Sequence, residues 1–411
     1  MDSGTIAFIC VSAMLVAFMT PGLAFFYGGL GRRKNVINTM MMCILPMAVG
    51  SVLWLICGYS LSFAGTGRFI GNLSHVFFNG VSETTSSRGL ALPDLLFAAF
   101  QMMFSIIAVA IATGSVAGRM RFTPLALFAV GYLLFIYYPF AHMVWGGGLL
   151  EELGTIDFAG GDVVHITSGV SGLVLAIVVG KRRDFDRQAY RPHNVPFVLL
   201  GAGILLFGWY GFNAGSALSA GATAVHALMT THIAATSAML SWIILEKLLN
   251  GKVSLVGAST GLVAGLVAIT PGAGYVSVAA SFIIGLLVSP IVYFFISVVK
   301  HKLGYDDALD AFGCHGIGGI FGGIVTAVFA TPALSGGAEK AGLLFGQTHL
   351  FWVTLLAIAI TIVWTAVVAY LLIIAIRWVM PLRVSDRVEA IGLDDNEHEE
   401  TAYPTFMGLD S

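Results

Sequence analysis

From its first residue the chain is a succession of long apolar runs broken by short polar turns. A bilayer-spanning helix needs about 20 mostly apolar residues. Runs of that kind lie near 4–28, 36–63, 92–117, 122–143, 162–180, 195–213, 222–246, 253–270, 275–299, 311–331 and 349–379. The pattern predicts an all-α, polytopic membrane protein with about 11 transmembrane helices. The longest polar stretch between runs is 64–91, and the other loops are short. The expected organisation is one transmembrane domain, 1–380, followed by a tail, 381–411.

The pattern holds a faint internal echo. Asp157 precedes the fifth run, which carries His165; Asp310 stands before His315 in the tenth. The first run ends in Phe26-Tyr27-Gly28-Gly29, and the sixth contains Tyr210-Gly211-Phe212-Asn213. Five runs separate each pair, and an odd offset inverts the second unit. We therefore expect two inverted five-helix pseudo-repeats, spans 1–5 and 6–10, plus a long last helix. Inverted repeats place their site at mid-membrane, where the two units meet.

Composition strengthens the membrane reading. Apolar residues make up 57% of the 411 and charged residues 10%, with a mean hydropathy of +0.90. A soluble domain carries about 25% charged residues, so this chain has too little polar surface to cover itself in water. Nothing in the near-neutral charge of −2 suggests nucleic acid. The charge is unevenly placed: from residue 381 onward two basic residues face eight acidic ones, a net of −6, leaving +4 on the rest.

Loop charges set the orientation. With the N-terminus outside, the inner loops hold Arg32, Arg33, Lys34, Arg119, Arg121, Lys181, Arg182, Arg183, Arg187, Arg191, Lys247, Lys252, Lys300, Lys302, Arg377, Arg383 and Arg387, which is 17 of the 20 basic residues. The positive-inside rule then places the acidic tail in the cytoplasm. The N-terminus lacks a basic leader region, so the first run reads as a span rather than a cleaved signal. Cys10, Cys43, Cys57 and Cys314 fall in apolar runs without metal-ligand spacing and read as packing residues. No cofactor or metal is expected.

The residues that carry chemistry are few. His165 and His315 are ionisable groups flanked by apolar residues inside runs, where such groups are costly and by default functional. A neutral imidazole donates from one nitrogen and accepts at the other, so two rings in contact can pass hydrogen bonds along a narrow pore. The plainer reading is a bond between helices. Asp157 reads as a helix cap, with a charge that also biases the nearby site toward cations; Asp310 reads as the matching cap of the tenth span. Phe100 and Phe104 share a helix face, and Trp145 ends the fourth run. They read either as interfacial anchors or as a cup that attracts a small cation. Phe212 and Ser216 close the sixth run, as a plug and a hydroxyl acceptor or as an ordinary helix end.

These residues stand in a collinear set of motifs: Pro21-Gly22, Phe100-Gln101, Ala141-His142-Met143-Val144-Trp145-Gly146-Gly147-Gly148, Asp157-Phe158-Ala159-Gly160-Gly161, Gly180-Lys181-Arg182, Trp209 through Ser216, Ile269-Thr270-Pro271, and Phe312 with His315. In them the whole chain resembles the ammonium transporter (Amt/Rh) family, and its Amt branch. The resemblance implies that Phe100, Trp145 and Ser216 form an outer site for ammonium, that Phe104 and Phe212 are a stacked gate, and that His165 and His315 are twin pore histidines. It implies a structural role for Asp157 and vestibule or pore-lining roles for Phe26, Tyr137 and Trp209. It also implies a homotrimer with one pore per subunit, and a tail linked to PII-type signalling proteins. Glu399 stands where the family tail usually has Gly, which bears on that regulation.

The expected function is therefore ammonium transport across the cell (inner or plasma) membrane. Ammonium is recruited outside and deprotonated, and ammonia passes the histidines, with net charge movement overall. Three rivals stand beside it. A sensor that binds ammonium with little transport needs an output domain larger than this tail. A membrane redox enzyme with His142, His165 and His315 as ligands needs more ligands in proximity and their partners. A gas channel of the Rhesus kind generally lacks the Trp145 and Ser216 pair.

Overall fold

The computed structural model describes residues 1–185 and 191–403. Arg187 and residues 404–411 of the tail lie outside the described residues. Among those described, 11 helices are long and apolar enough to cross a membrane. They are α1 (Ser3–Leu30), α2 (Arg33–Phe63), α3 (Asp94–Val116), α4 (Phe122–Glu152), α5 (Gly161–Val179), α6 (Val195–Gly215), α7 (Ala222–Asn250), α8 (Leu255–Gly272), α9 (Val278–Leu303), α10 (Phe312–Phe329) and α11 (His349–Val379). The runs read from the sequence coincide with these helices to within a few residues, except that α4 continues nine residues beyond 143.

Local chemistry fixes several helix starts. The Asp2 side chain accepts from the Thr5 amide at 2.7 Å and caps α1. Asn194 caps α6 through Phe197 at 3.0 Å, and Ser254 caps α8 through Gly257 at 2.9 Å. The Asp2 amide also donates to the Ala91 carbonyl at 2.9 Å, which places the start of α1 beside the start of α3. The tail, leaving α11, gathers at the opposite face.

Small residues let the pore helices touch. A Cβ added to Gly201 in α6 would lie 2.3 Å from the Phe26 amide nitrogen in α1. One added to Gly169 in α5 would lie 2.3 Å from the Gly316 nitrogen in α10. Without a hydrophobic drive between helices in lipid, such backbone-to-backbone contact is what packs them. Both α5 and α10 open with a wide π-helical turn, Gly161–Ile166 and Phe312–Gly316, and each turn carries a histidine.

The echo between repeats is real, but one of its markers must be corrected. Asp157 accepts the amides of Gly160, Gly161, Asp162 and Val163 at 2.8, 2.7, 2.9 and 3.4 Å. In the second repeat the same service falls to Asp307, which accepts from Ala311, Phe312 and Gly313 at 3.2, 2.8 and 3.3 Å. Asp310 does not cap α10. Its backbone is left-handed (φ 58°), and its carboxylate pairs with Lys300. The true counterparts, 157 to 165 and 307 to 315, have identical spacing.

The tail forms two short helices, α12 (Asp386–Ile391) and α13 (Leu393–His398), docked on loops of its own chain. The Leu393 amide donates to Asn35 Oδ1 at 2.9 Å, the Asn38 amide to Asp394 Oδ1 at 2.9 Å, and the Phe122 amide to Glu397 Oε2 at 3.0 Å. Glu389 accepts from the Arg183 amide at 2.7 Å and pairs with Arg383 at 2.6 Å. The Tyr403 hydroxyl meets His193 Nε2 at 3.1 Å and Asn194 Nδ2 at 3.2 Å. Glu399 lies in the left-handed region at φ 53°.

Candidate conduction site

A vestibule of about 480 Å³ opens at the face that carries the N-terminus. Phe104, Trp145, Asp157 and Ser216 line it, together with Arg88, Gln101, Glu151 and Tyr275. Trp145 is held by its indole N–H, which donates to the Asp157 carbonyl at 2.8 Å. The Ser216 hydroxyl donates to the Phe212 carbonyl at 2.8 Å, which leaves its lone pairs free to accept. Asp157 is buried behind this wall. Burial raises its carboxyl pKa, and the amides it accepts from work the other way.

Two phenyl rings close the floor. Phe104 and Phe212 are stacked, with centroids 4.1 Å apart and planes 22° from parallel. Phe100 is fully buried and meets Phe104 edge-on at 4.9 Å, so it backs the floor rather than facing the vestibule. Below the floor the His165 ring lies 6.1 Å from Phe212 and stacks on Trp209 at 5.3 Å. Trp209 is fixed in turn by its N–H bond to Thr270 Oγ1 at 2.9 Å.

The Nδ1 atoms of His165 and His315 are 3.2 Å apart. Only one proton fits between them, so one ring donates at Nδ1 and the other accepts. That contact assigns the two rings opposite roles along one line. His165 Nε2 has no protein partner and remains free to meet a permeating molecule. Both imidazoles are buried.

The order along the helices is therefore vestibule, stacked phenyls, two imidazoles in contact, and an apolar surround. A family model for the Ammonium Transporter Family matches residues 7–403 of the chain. The chain belongs to the ammonium transporter family. It is a multi-pass membrane transporter of that family rather than an enzyme. It is 45% identical to the "Ammonium transporter" of Bacillus subtilis over 408 residues, which cover 99% of this chain and 100% of that protein. Its fold is that of Saccharomyces cerevisiae Mep2 (TM-score 0.87, 33% identity, covering 94% of this chain and 88% of that one). Candida albicans Mep2 is also similar (TM-score 0.89, 30% identity, covering 98% and 93%).

For this transporter the structure brings together Phe104, Trp145, Ser216, Phe212, Trp209, His165 and His315. Phe100 and Asp157 stand against this group, at Phe104 and Trp145. Phe26 is buried on α1 where Gly201 closes on it, and Tyr137 is buried in a wide turn of α4 beside Tyr138, its hydroxyl unpartnered. The other membrane histidines have structural bonds. His142 meets the carbonyls of Ser62 and Gly67 at 3.1 and 2.5 Å, and His226 that of Val276 at 2.7 Å. Sequence reading missed Asp307 and Arg88, and quoted Thr270 within a motif without its bond to Trp209. The spacing from 307 to 315 was visible in the chain; the partners of Thr270 and Arg88 depend on loops meeting in space.

Proposed function

We propose that this transporter recruits ammonium between Trp145 and Ser216, strips one proton at the phenyl floor, and passes ammonia along His165 and His315. The observation that carries this reading is the 3.2 Å contact between two imidazoles directly beneath a stacked phenyl pair. The indole face attracts a cation, worth roughly 0.5–2 kcal/mol depending on desolvation. The Ser216 oxygen accepts one of its N–H bonds. The acids of the wide turns, Asp157 and Asp307, are engaged with backbone amides and offer an ion passing the histidines little in place of water. Moving a bare ion into such a medium costs about 20 kcal/mol in the ideal limit and several after relaxation. Ammonium escapes that cost by leaving a proton behind, and potassium cannot. His165 Nε2 and the shared Nδ1 contact then supply hydrogen bonds to ammonia at each step. Net charge moves with each passage in this reading.

The rest of the reading concerns placement. The vestibule faces outside and the acidic tail faces the cytoplasm of the cell (inner or plasma) membrane, which the distribution of 17 of 20 basic residues supports. Residues 1–380 form the conducting domain and 381–411 a regulatory tail, as its docking onto the loops suggests. The transporter assembles as a homotrimer, and a PII-type signalling protein meets the tail face. In support of a protein partner in the membrane, His232 is exposed on α7 and bonds Tyr210 at 2.8 Å, a polar pair poorly suited to lipid.

Currents from proteoliposomes on a solid support test the mechanism. Ammonium gives a transient current in wild type, and His165→Ala and His315→Ala reduce it or change its ion selectivity. An equal response to ammonium and potassium in wild type overturns the account. Ammonium binding without current favours the sensor alternative.

A further inference from the structure

Arg88 is fixed at the mouth of the vestibule, although the conduction path makes no use of it. Its Nη2 donates to the Trp145 carbonyl at 2.8 Å. Its guanidinium lies over the Phe63 ring at 5.1 Å and the Phe97 ring at 4.9 Å. Three contacts hold this charge in one place, on a side chain otherwise open to water. A positive charge beside the site that gathers ammonium weakens the binding of the transporter's own substrate. Its presence there calls for a compensating gain.

The gain follows from how Coulomb repulsion scales. A fixed charge acts on each ion in proportion to the ion's own charge. Whatever factor Arg88 takes from ammonium binding, it takes the square of that factor from a divalent cation. The vestibule also carries Glu151 and Asp157, acids that would attract a divalent ion more strongly than a monovalent one. Lys340 lines the same space and adds to the repulsion. Ammonium recovers affinity through the Trp145 face and the Ser216 hydroxyl. A divalent cation such as magnesium sheds its water reluctantly and gains little from either.

We propose that Arg88 is a specificity-determining residue of the outer site, which keeps divalent cations out of the vestibule. The proposal rests on the reading of Trp145 and Ser216 as the ammonium site.

The test uses the full chain in phosphatidylcholine vesicles, whose lack of net charge avoids surface-charge artefacts, with magnesium added outside. Arg88→Gln should tighten the apparent affinity for ammonium about three-fold and the inhibition by magnesium about ten-fold. High monovalent salt should shrink both changes. Arg88→Lys, which keeps the charge without the planar fork, should retain the resistance to magnesium. The proposal is overturned if magnesium inhibits neither protein, or if Arg88→Gln shifts ammonium and magnesium by the same factor. Trp145→Leu separates the two layers. If it leaves ammonium affinity unchanged, the outer-site reading fails; if it weakens affinity while Arg88→Gln changes no ratio, only the role of Arg88 fails.

Discussion

Asp157 and Asp307 stand in the same relation to His165 and His315 respectively. Each lies eight residues before its histidine and gathers the free amides of the wide turn that carries it. Removing either carboxyl leaves several buried N–H groups without acceptors, at about 1–3 kcal/mol for each group left unsatisfied.

Asp307→Ala should therefore lower the thermal stability of the detergent-purified protein and abolish ammonium currents. Asp310→Asn, which removes the charge facing Lys300 and still suits the left-handed backbone there, should leave currents measurable. Unfolding midpoints and currents for the pair check this. Equal loss in both variants would contradict the assignment of the cap to Asp307.

Gly169→Ala places a methyl group 2.3 Å from the Gly316 nitrogen, a distance that backbone cannot accept. Helices α5 and α10 must separate, and with them the two imidazoles. The expected cost is about 1–3 kcal/mol of stability, with transport falling disproportionately because the 3.2 Å contact is lost. Currents normalised to folded protein measure this. Transport at wild-type level in the alanine variant would show that the contact tolerates the shift.

Glu399→Gly should tighten the docked tail. At φ 53° a side chain with a Cβ is strained by about 1 kcal/mol, and glycine is not. Limited proteolysis after Arg387 should slow in the glycine variant. Faster cleavage would mean that the Glu399 side chain itself holds the tail.

Asp306 gives a pH signature. Burial raises its carboxyl pKa, but the Arg182 hydrogen bonds and the Arg119 and Arg182 charges outweigh that and hold it below its ordinary value. A depressed acid stabilises the fold above its unfolded pKa, and that contribution disappears as pH falls through the folded value. The stability gap between wild type and Asp306→Asn should be constant from pH 7 to about 5 and close below about pH 4. Thermal unfolding across that range measures it. A gap that widened in acid would reverse the sign and refute the assignment.

Much of this was legible in the chain because lipid imposes simple rules. Span length and apolarity located α11 at 349–379, and the motifs drew attention to His165 and His315, which the structure brings into contact. The twin histidines were visible as apolar-flanked residues five spans apart, although the acid read beside His315 was Asp310 rather than Asp307. What could not be read was local geometry. Asp310, the nearest aspartate, has a left-handed backbone and pairs with Lys300, and the cap of the wide turn of α10 falls to Asp307. Phe100 was expected at the site surface and lies behind it, because helix periodicity gives a face but not which of two rings stands in front. Arg88 lies in the long polar loop, where no periodicity exists to be read.

The two stacked rings have a consequence for speed. With centroids 4.1 Å apart and both side chains buried, no molecule fits between Phe104 and Phe212. On the proposed path, each passage waits for the rings to swing aside within packed surroundings. On that path the protein works as a turnstile rather than an open tube, and its conduction depends on aromatic side-chain motion.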